Sequence, residues 1–411
     1  MTTLSRLLNW VDDRFPLTRM WKEQWGDYIA PKNLNFWYYF GSLAALVLVI
    51  QIVSGIFLTM NYKPDAKLAF GSVEYIMRDV PWGWLIRYIH STGASAFFIV
   101  IYLHMFRGLM YGSYRKPREL LWIFGMFTYL ALMAEAFFGY LLPWGQMSFW
   151  GAQVIVNLFS AVPVIGPDLA LWIRGDYVIS DVTLNRFFAF HVIALPLVLL
   201  GLVVAHLMAL HEVGSNNPDG IEIKNNKDPK TGMPLDGIPS HPYYTIKDLL
   251  GVAVFLIVFS LIIFFAPEMG GYFLEYNNFV PADSLKTPEH IAPLWYFTPF
   301  YAMLRAVPPL FGSQFPGVLV MGAAVVILFF LPWLDRGRVK SVRYRGLLFK
   351  GWLAAFVVSF VVLGYLGVLP VSDGRTSVAR IMTVVYFAFF LLMPWYTRMD
   401  RTKPEPERVT W

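Results

Sequence analysis

Eight apolar runs dominate this 411-residue chain, near residues 36–60, 85–107, 119–141, 187–210, 249–267, 315–334, 349–369 and 379–397. Each is about 20 residues long, enough to cross the hydrocarbon core of a bilayer as a helix. Inside lipid no water meets a bare N–H or C=O, so such a run must satisfy its own backbone, as a helix does. The chain is therefore expected to be all-α and polytopic, with eight transmembrane helices. Its make-up agrees: 57% of residues are hydrophobic and 15% charged, with a mean hydropathy of +0.52, outside the range of soluble domains. Cysteine is absent, which excludes disulfides, thiolate metal sites and covalent haem attachment through C-x-x-C-H.

An even number of crossings leaves both termini on one side. That side carries 23 of the 33 Lys and Arg residues and the other side 10, so the termini are expected to be cytoplasmic. The net charge of +6 is scattered over short loops; it reads as topology and contact with membrane lipid, not as a nucleic-acid footprint. Before Asn33 there is neither an apolar h-region nor a cleavage site, so no removable signal peptide is expected and the first span serves for targeting. The stretch LSRLLNWVDDRFPLTRMW has the pattern of an amphipathic surface helix.

Four of the seven histidines fall deep in spans: His90 and His104 on the second, His191 and His206 on the fourth. The pairs are 14 and 15 residues apart, or roughly 21 and 22 Å along a helix, with partners about 40° and 60° from alignment. Both spans run in the same direction, so His90 and His191 share an outer layer and His104 and His206 an inner one. A single bundle histidine is ordinarily a hydrogen-bonded packing residue. Four in register point instead to two stacked bis-imidazole sites suited to six-coordinate haem iron. Gly41 and Gly55 on the first span and Gly125 and Gly139 on the third repeat the 14-residue interval. Those spans run the other way, so Gly41 and Gly125 join the inner layer and Gly55 and Gly139 the outer, where glycine lets the edge of a flat macrocycle approach. Arg87 and Arg107 sit one turn beyond His90 and His104, placed to snorkel or to pair with haem propionates.

These residues, with QIVSGIFLTMNY, IRYIHSTGAS, HMFRGLMYGSY, GYLLPWGQMSFWGAQV, LHEVGSNNPDG and HPYYTIKDLLG in order, closely resemble cytochrome b, the haem-carrying membrane subunit of the cytochrome bc complex, in its bacterial form. The resemblance covers nearly the whole chain. It implies two noncovalent b-type haems in a bundle of the first four helices, the outer ligated by His90 and His191 and the inner by His104 and His206. It implies quinol (ubiquinol) oxidation near the outer surface, with one electron going to a Rieske iron–sulfur protein and the other through the haems to quinone near the cytoplasm. A c-type cytochrome partner, a homodimeric complex and a bacterial inner-membrane location follow from the same resemblance. The expected organisation is an amphipathic segment at 1–33, the dihaem bundle at 34–211 with an outer loop at 139–165, a cytoplasmic loop at 212–247, four further helices at 248–397 with an outer segment at 287–309, and a tail at 398–411.

The inner quinone site needs titratable groups that reach both carbonyls of the ring. His211 and Ser215 end the fourth span, and Lys247 and Asp248 open the fifth. Without the resemblance they read as helix-end residues; with it they become quinone ligands and a proton path. On the outer side, the loop after the third span and the proline-rich segment TPEHIAPLWYFTPFYAMLRAVPP are expected to wall the quinol pocket, because irregular backbone survives at membrane depth only when it is buried or lines a cavity. Phe137, Tyr140, Gly151, Pro293, Leu294, Tyr296 and Tyr301 are the candidate lining. The related motif generally reads Pro-Glu-Trp-Tyr, with the Glu taking a quinol proton, whereas this chain has Pro293-Leu294-Trp295-Tyr296. Leucine accepts no proton. Either water and Tyr301 suffice as the catalytic groups, or another acid serves: Glu135, four residues before Gly139 on the same helix face, is the candidate, with a structural hydrogen bond as its alternative role; His290 reads as an ordinary loop residue. A transporter or channel would show internal repeats and an ion path, and another dihaem quinone-linked subunit would lack both outer loops.

Overall fold

Hydropathy and helix ends agree at most of the eight spans and part company at the fourth, fifth and eighth. Among the described residues, 3–410, the computed structural model has eight helices long and apolar enough to cross a membrane: Phe36–Thr59, Gly83–Tyr111, Glu119–Leu141, Asp181–Val213, Ser240–Phe265, Phe315–Leu334, Leu347–Val368 and Asp373–Leu391. Met1, Thr2 and Trp411, the extremes of the segments expected at 1–33 and 398–411, lie outside the described residues. The fifth span begins two turns before its apolar run, so Lys247 and Asp248 lie inside it and not at its mouth. Its first residues are bent at His241, which precedes a proline and so favours extended backbone. The eighth starts at Asp373, where the Ser372 side chain accepts a bond from the Arg375 N–H. It stops before Pro394, which cannot donate back along the helix and starts a separate helix, Met393–Met399.

The first span packs along the second and the third along the fourth. The proline-rich segment is irregular to Leu294, turns through residues 295–297, then forms a buried helix, Thr298–Ala306, against the sixth, seventh and eighth spans. Phe98 and Tyr129 from the first half share one continuous core with Tyr296, Phe300, Phe356 and Phe389 from the second. The two halves are therefore not separable bodies. Outward, the fourth and fifth spans present mostly exposed leucine, valine and isoleucine, the surface a hydrocarbon solvent requires.

Carboxylates brace the face that carries the termini. Asp236 takes Lys32 at 2.9 Å and Arg408 at 2.7 Å, and beside it Ile29–Pro31 pairs antiparallel with Gly237–Pro239. Asp219 meets Asn33, Arg343, Tyr344 and Thr410. Asp335 is bonded by Tyr114 at 2.7 Å and Arg345 at 2.6 Å, and both side chains of the ion pair are fully buried. Burial works to raise the Asp335 carboxyl, but Arg345 and Arg115 outweigh it and hold the group below its ordinary range. Asp335→Ala would strand the Arg345 charge. It is expected to cost about 3–5 kcal/mol, read as a lowered unfolding midpoint of the detergent-solubilised protein; an unchanged midpoint would count against the pair as a brace.

Candidate functional site

The four span histidines meet in two pairs. The rings of His90 and His191 have centres 6.1 Å apart with planes at 88°, and those of His104 and His206 are 6.3 Å apart at 62°. Imidazole nitrogen ligates a metal at about 2 Å, so two rings facing across one ion have centres about 6 Å apart. Three of the rings are held by their Nδ1 atoms: His90 by Ser54 Oγ at 2.9 Å, His191 by the Glu135 carbonyl at 2.9 Å and His206 by the Leu121 carbonyl at 3.0 Å. That anchoring leaves Nε2 for a metal. Among the described residues no group of three or more His, Cys, Asp and Glu could hold an ion. An ion between a pair would have two imidazole ligands, with its other positions open to a non-protein group such as a tetrapyrrole.

The unequal intervals of 14 and 15 residues are reconciled by the backbone. His191 lies in a π-helical turn, Phe190–Ala194, inside the fourth span. A π turn takes up one extra residue, so 15 residues there serve the register that 14 give on the second span. Pro196, just beyond, lacks the N–H that would continue the α ladder.

Each of the four glycines faces one imidazole. A Cβ on Gly55 would come 3.3 Å from His90 Cε1, on Gly41 3.3 Å from His104 Cε1, and on Gly125 3.2 Å from His206 Cε1. On Gly139 it would come 2.8 Å from His191 Nδ1. In the structure the room left by glycine is filled by the histidine ring, in the same two layers that the spacing predicts. Two cations border the layers. Arg87 makes no hydrogen bond or ion pair among the described residues, and Arg107 reaches Ser113 at 3.2 Å and His104 at 3.4 Å while its Nε is buried and unpaired. Free guanidinium donors at that depth fit an acidic group of a bound cofactor.

Near the terminal face, Tyr28 stacks on His211 with centres 4.7 Å apart, and its hydroxyl lies 2.8 Å from Ser215 Oγ. Ser42 of the first span lies near Asp248 and donates to the Tyr39 carbonyl at 3.0 Å, and Lys247 sits over the Tyr244 ring at 5.2 Å. Tyr28 and Ser42 escaped sequence reasoning, since nothing in the pattern ties an N-terminal tyrosine to the end of the fourth span.

On the opposite face two loops are stitched together. Gln146 N donates to the Val280 carbonyl at 2.9 Å, Ala282 N to Trp144 at 3.0 Å, and Ser148 N to Asn278 Oδ1 at 2.9 Å. Trp144 turns the first loop with a left-handed φ of 55°. Gly151 packs on the Tyr140 ring, and the Phe137 ring lies 5.4 Å from that of Phe187. Tyr296 is buried and stacks on Phe98 at 3.9 Å. Pro293 and Leu294 are half-buried beside it. Tyr301 donates to the Ile291 carbonyl at 3.2 Å beneath Arg305, and His290 bonds the Val368 carbonyl at 2.8 Å. The Glu135 Oε1 lies 3.1 Å from His191 Nδ1, and its Oε2 is buried with no hydrogen bond among the described residues. The Tyr140 hydroxyl donates to Glu275, an acid in the loop after the fifth span that sequence reasoning passed over. The available signal was its setting, FLEYNNF, one carboxylate within an aromatic run of the outer loop.

Fold and site together define a polytopic helical membrane protein with two stacked bis-imidazole sites. Residues 25–214 match the family described as Cytochrome b/b6/petB, and residues 281–387 the one described as Cytochrome b(C-terminal)/b6/petD. The chain is 68% identical over 408 residues to "Cytochrome b" of Allochromatium vinosum, covering 98% of each chain. It is 47% identical over 407 residues to "Cytochrome b" of Rhodospirillum rubrum, covering 99% of this chain and 96% of that one. A solved structure described as "Hyperthermophilic respiratory Complex III" superposes with a TM-score of 0.87 at 39% identity, covering 95% of this chain and 99% of that chain. The chain belongs to the cytochrome b family.

Proposed function

We propose that the chain is the quinone-reactive cytochrome b subunit of a respiratory complex III-type assembly, a quinol:cytochrome c oxidoreductase in a bacterial inner membrane with its termini in the cytoplasm. The observation that carries this reading is the two facing imidazole pairs, 6.1 and 6.3 Å between centres, at two depths of one bundle. His90 and His191 hold the outer b-type haem and His104 and His206 the inner one, while Arg87 and Arg107 meet their propionates. Bound haem supplies reversible one-electron chemistry at iron. The rest falls to the protein: the hydrogen bonds to Nδ1 fix the His90, His191 and His206 rings, and the apolar helices keep water out. The working complex is a homodimer with a Rieske iron–sulfur protein and a c-type cytochrome. A redox titration of the membrane spectrum tests the reading. Two b-type components with distinct potentials are expected, and a spectrum without haem absorption would overturn it.

At the inner site the neighbouring contacts suit ubiquinone reduction. Tyr28 orients His211 and Ser215 on one side, and Asp248 with Lys247 supplies protons from the other. Asp248→Ala is expected to slow reoxidation of the inner haem by quinone while its reduction from the outer side proceeds unchanged. Flash or stopped-flow kinetics at the haem band would measure this, and an unaltered reoxidation rate would remove Asp248 from the site. At the outer site, Phe137, Tyr140, Gly151, Pro293, Tyr296 and Tyr301 form the quinol wall, and Glu135 steadies His191.

A further inference from the structure

The outer wall has lost its expected acid at position 294, and the structure brings another carboxylate to the same wall from a different direction. Glu275 belongs to the loop between the fifth span and the proline-rich segment. Two residues before it, Phe273 is buried and stacks on Trp295, the neighbour of Leu294, with centres 6.5 Å apart and planes at 24°. Glu275 itself accepts a hydrogen bond from Tyr140 at the end of the third span, and the buried Tyr296 lies within its electrostatic reach. The loop that carries it is pinned to the Tyr140 side by the Gln146, Ser148 and Ala282 hydrogen bonds. Glu275 thus meets the end of the third span through Tyr140 and lies within electrostatic reach of Tyr296 on the Pro-Leu-Trp-Tyr turn. Glu135, by contrast, points its carboxylate at a histidine.

We infer that Glu275 is the proton acceptor for quinol at the outer site, occupying functionally the place that Leu294 leaves empty. The inference rests on the reading given under Proposed function. The quinol O–H bond breaks, the proton passes to a Glu275 carboxylate oxygen to give the neutral carboxyl, and the bonding electrons stay on the quinol oxygen. From there they leave singly to the one-electron acceptors of that reading, an iron–sulfur partner and the outer haem, and the second quinol O–H gives its proton to water on the outer side, leaving quinone. The carboxyl then releases its proton to water on the outer side. Tyr140 is the relay partner that holds the carboxylate while the pocket is empty.

The surroundings suit a base. The groups facing Glu275 are the phenols of Tyr140 on the third span and Tyr296 on the proline-rich segment; among the described residues no Lys, Arg or His forms an ion pair with it. Burial, with no cation to offset it, pushes its carboxyl up to about 8. A base works best with its pKa near the operating pH. Because the group accepts a proton only when ionised, oxidation should accelerate as pH rises toward and through that value.

The test uses the whole complex in native membranes, with Glu275→Gln, Glu275→Asp and Glu135→Gln. In Glu275→Gln, quinol oxidation is expected to fall by about 100-fold and to lose its rise with pH, with both haem spectra and inner-site reoxidation unchanged. Glu275→Asp should recover part of the rate and keep the rise, and Glu135→Gln should retain the pH profile. Infrared titration of the quinol-free complex should show a carboxyl band that disappears near pH 8 and is missing in Glu275→Gln. A normal rate and pH profile in Glu275→Gln would overturn the inference while leaving the broader reading intact. If the glutamine variant fails to assemble, an unchanged rate in Glu275→Asp, or no titrating carboxyl band in the unsubstituted complex, overturns it instead. Loss of the broader reading would look different: unsubstituted membranes without paired b-type signals or quinol oxidation.

Discussion

Replacing His191 with leucine is expected to abolish one of two b-type haem signals and with it all quinol oxidation, while the second signal stays. The reasoning starts from the contacts of the ring. His191 faces His90 at 6.1 Å between centres and is fixed by the Glu135 carbonyl at 2.9 Å, and among the described residues no third His, Cys, Asp or Glu completes a metal site with the pair. Leucine fills much of the volume and offers no lone pair, so the outer site keeps its packing and loses half of its axial ligation. The inner pair lies about 21 Å along the helices and shares no ligand with the outer one. Reduced-minus-oxidised spectra with a redox titration would show one component where there had been two. Retention of both would mean that the outer layer is not a haem site.

The second large effect concerns a single methyl group. At Gly139 an added Cβ would approach His191 Nδ1 to 2.8 Å and Nε2 to 2.9 Å; at Gly125 it would come only to 3.2 Å from His206 Cε1 and 3.6 Å from its Nδ1. The His191 ring is poorly able to retreat, because its Nδ1 is bonded to Glu135 and its backbone sits in the π turn. Gly139→Ala is therefore expected to impose overpacking of about 1–3 kcal/mol directly on a ligand and to lower outer haem content or shift its potential. Gly125→Ala should leave the inner haem close to normal. Haem content and midpoint potentials measured on both variants would decide the matter. Equal effects at the two positions would show that the closeness at Gly139 is not what matters.

Much of this architecture is legible because the solvent is lipid. An apolar run of about 20 residues in a bilayer has few structural options, and histidines repeated at helical intervals declare a shared face. That is why the spans, the two histidine layers and their glycines can all be read from spacing alone. The reading falters where packing or polar contacts decide. The one-residue difference between the two histidine intervals looks like a misalignment on ideal geometry, and only the π turn at Phe190–Ala194 restores the register. The fifth helix outruns its hydropathy because polar residues such as Lys247 and Asp248 are helical without being apolar. Glu135 shares a face with Gly139, as its spacing requires, yet faces that carry a glycine here turn toward imidazoles, and so does its carboxylate. Glu275 was hidden for a different reason. Its partner Tyr140 is 135 residues away, and no periodicity links a loop acid to the end of another helix.

The ties made by the tail have a consequence for biogenesis. Arg408, Val409 and Thr410 bond Asp236 and Asp219, in the same stretch of chain that presents Ser215, and Asp236 also holds the N-terminal strand next to Tyr28. A ribosome makes those carboxylates long before it makes their arginine and threonine partners. The end of the bundle that carries Ser215 can therefore lock only once residues 408–410 have been made. A fusion joined at the C-terminus would load that final step.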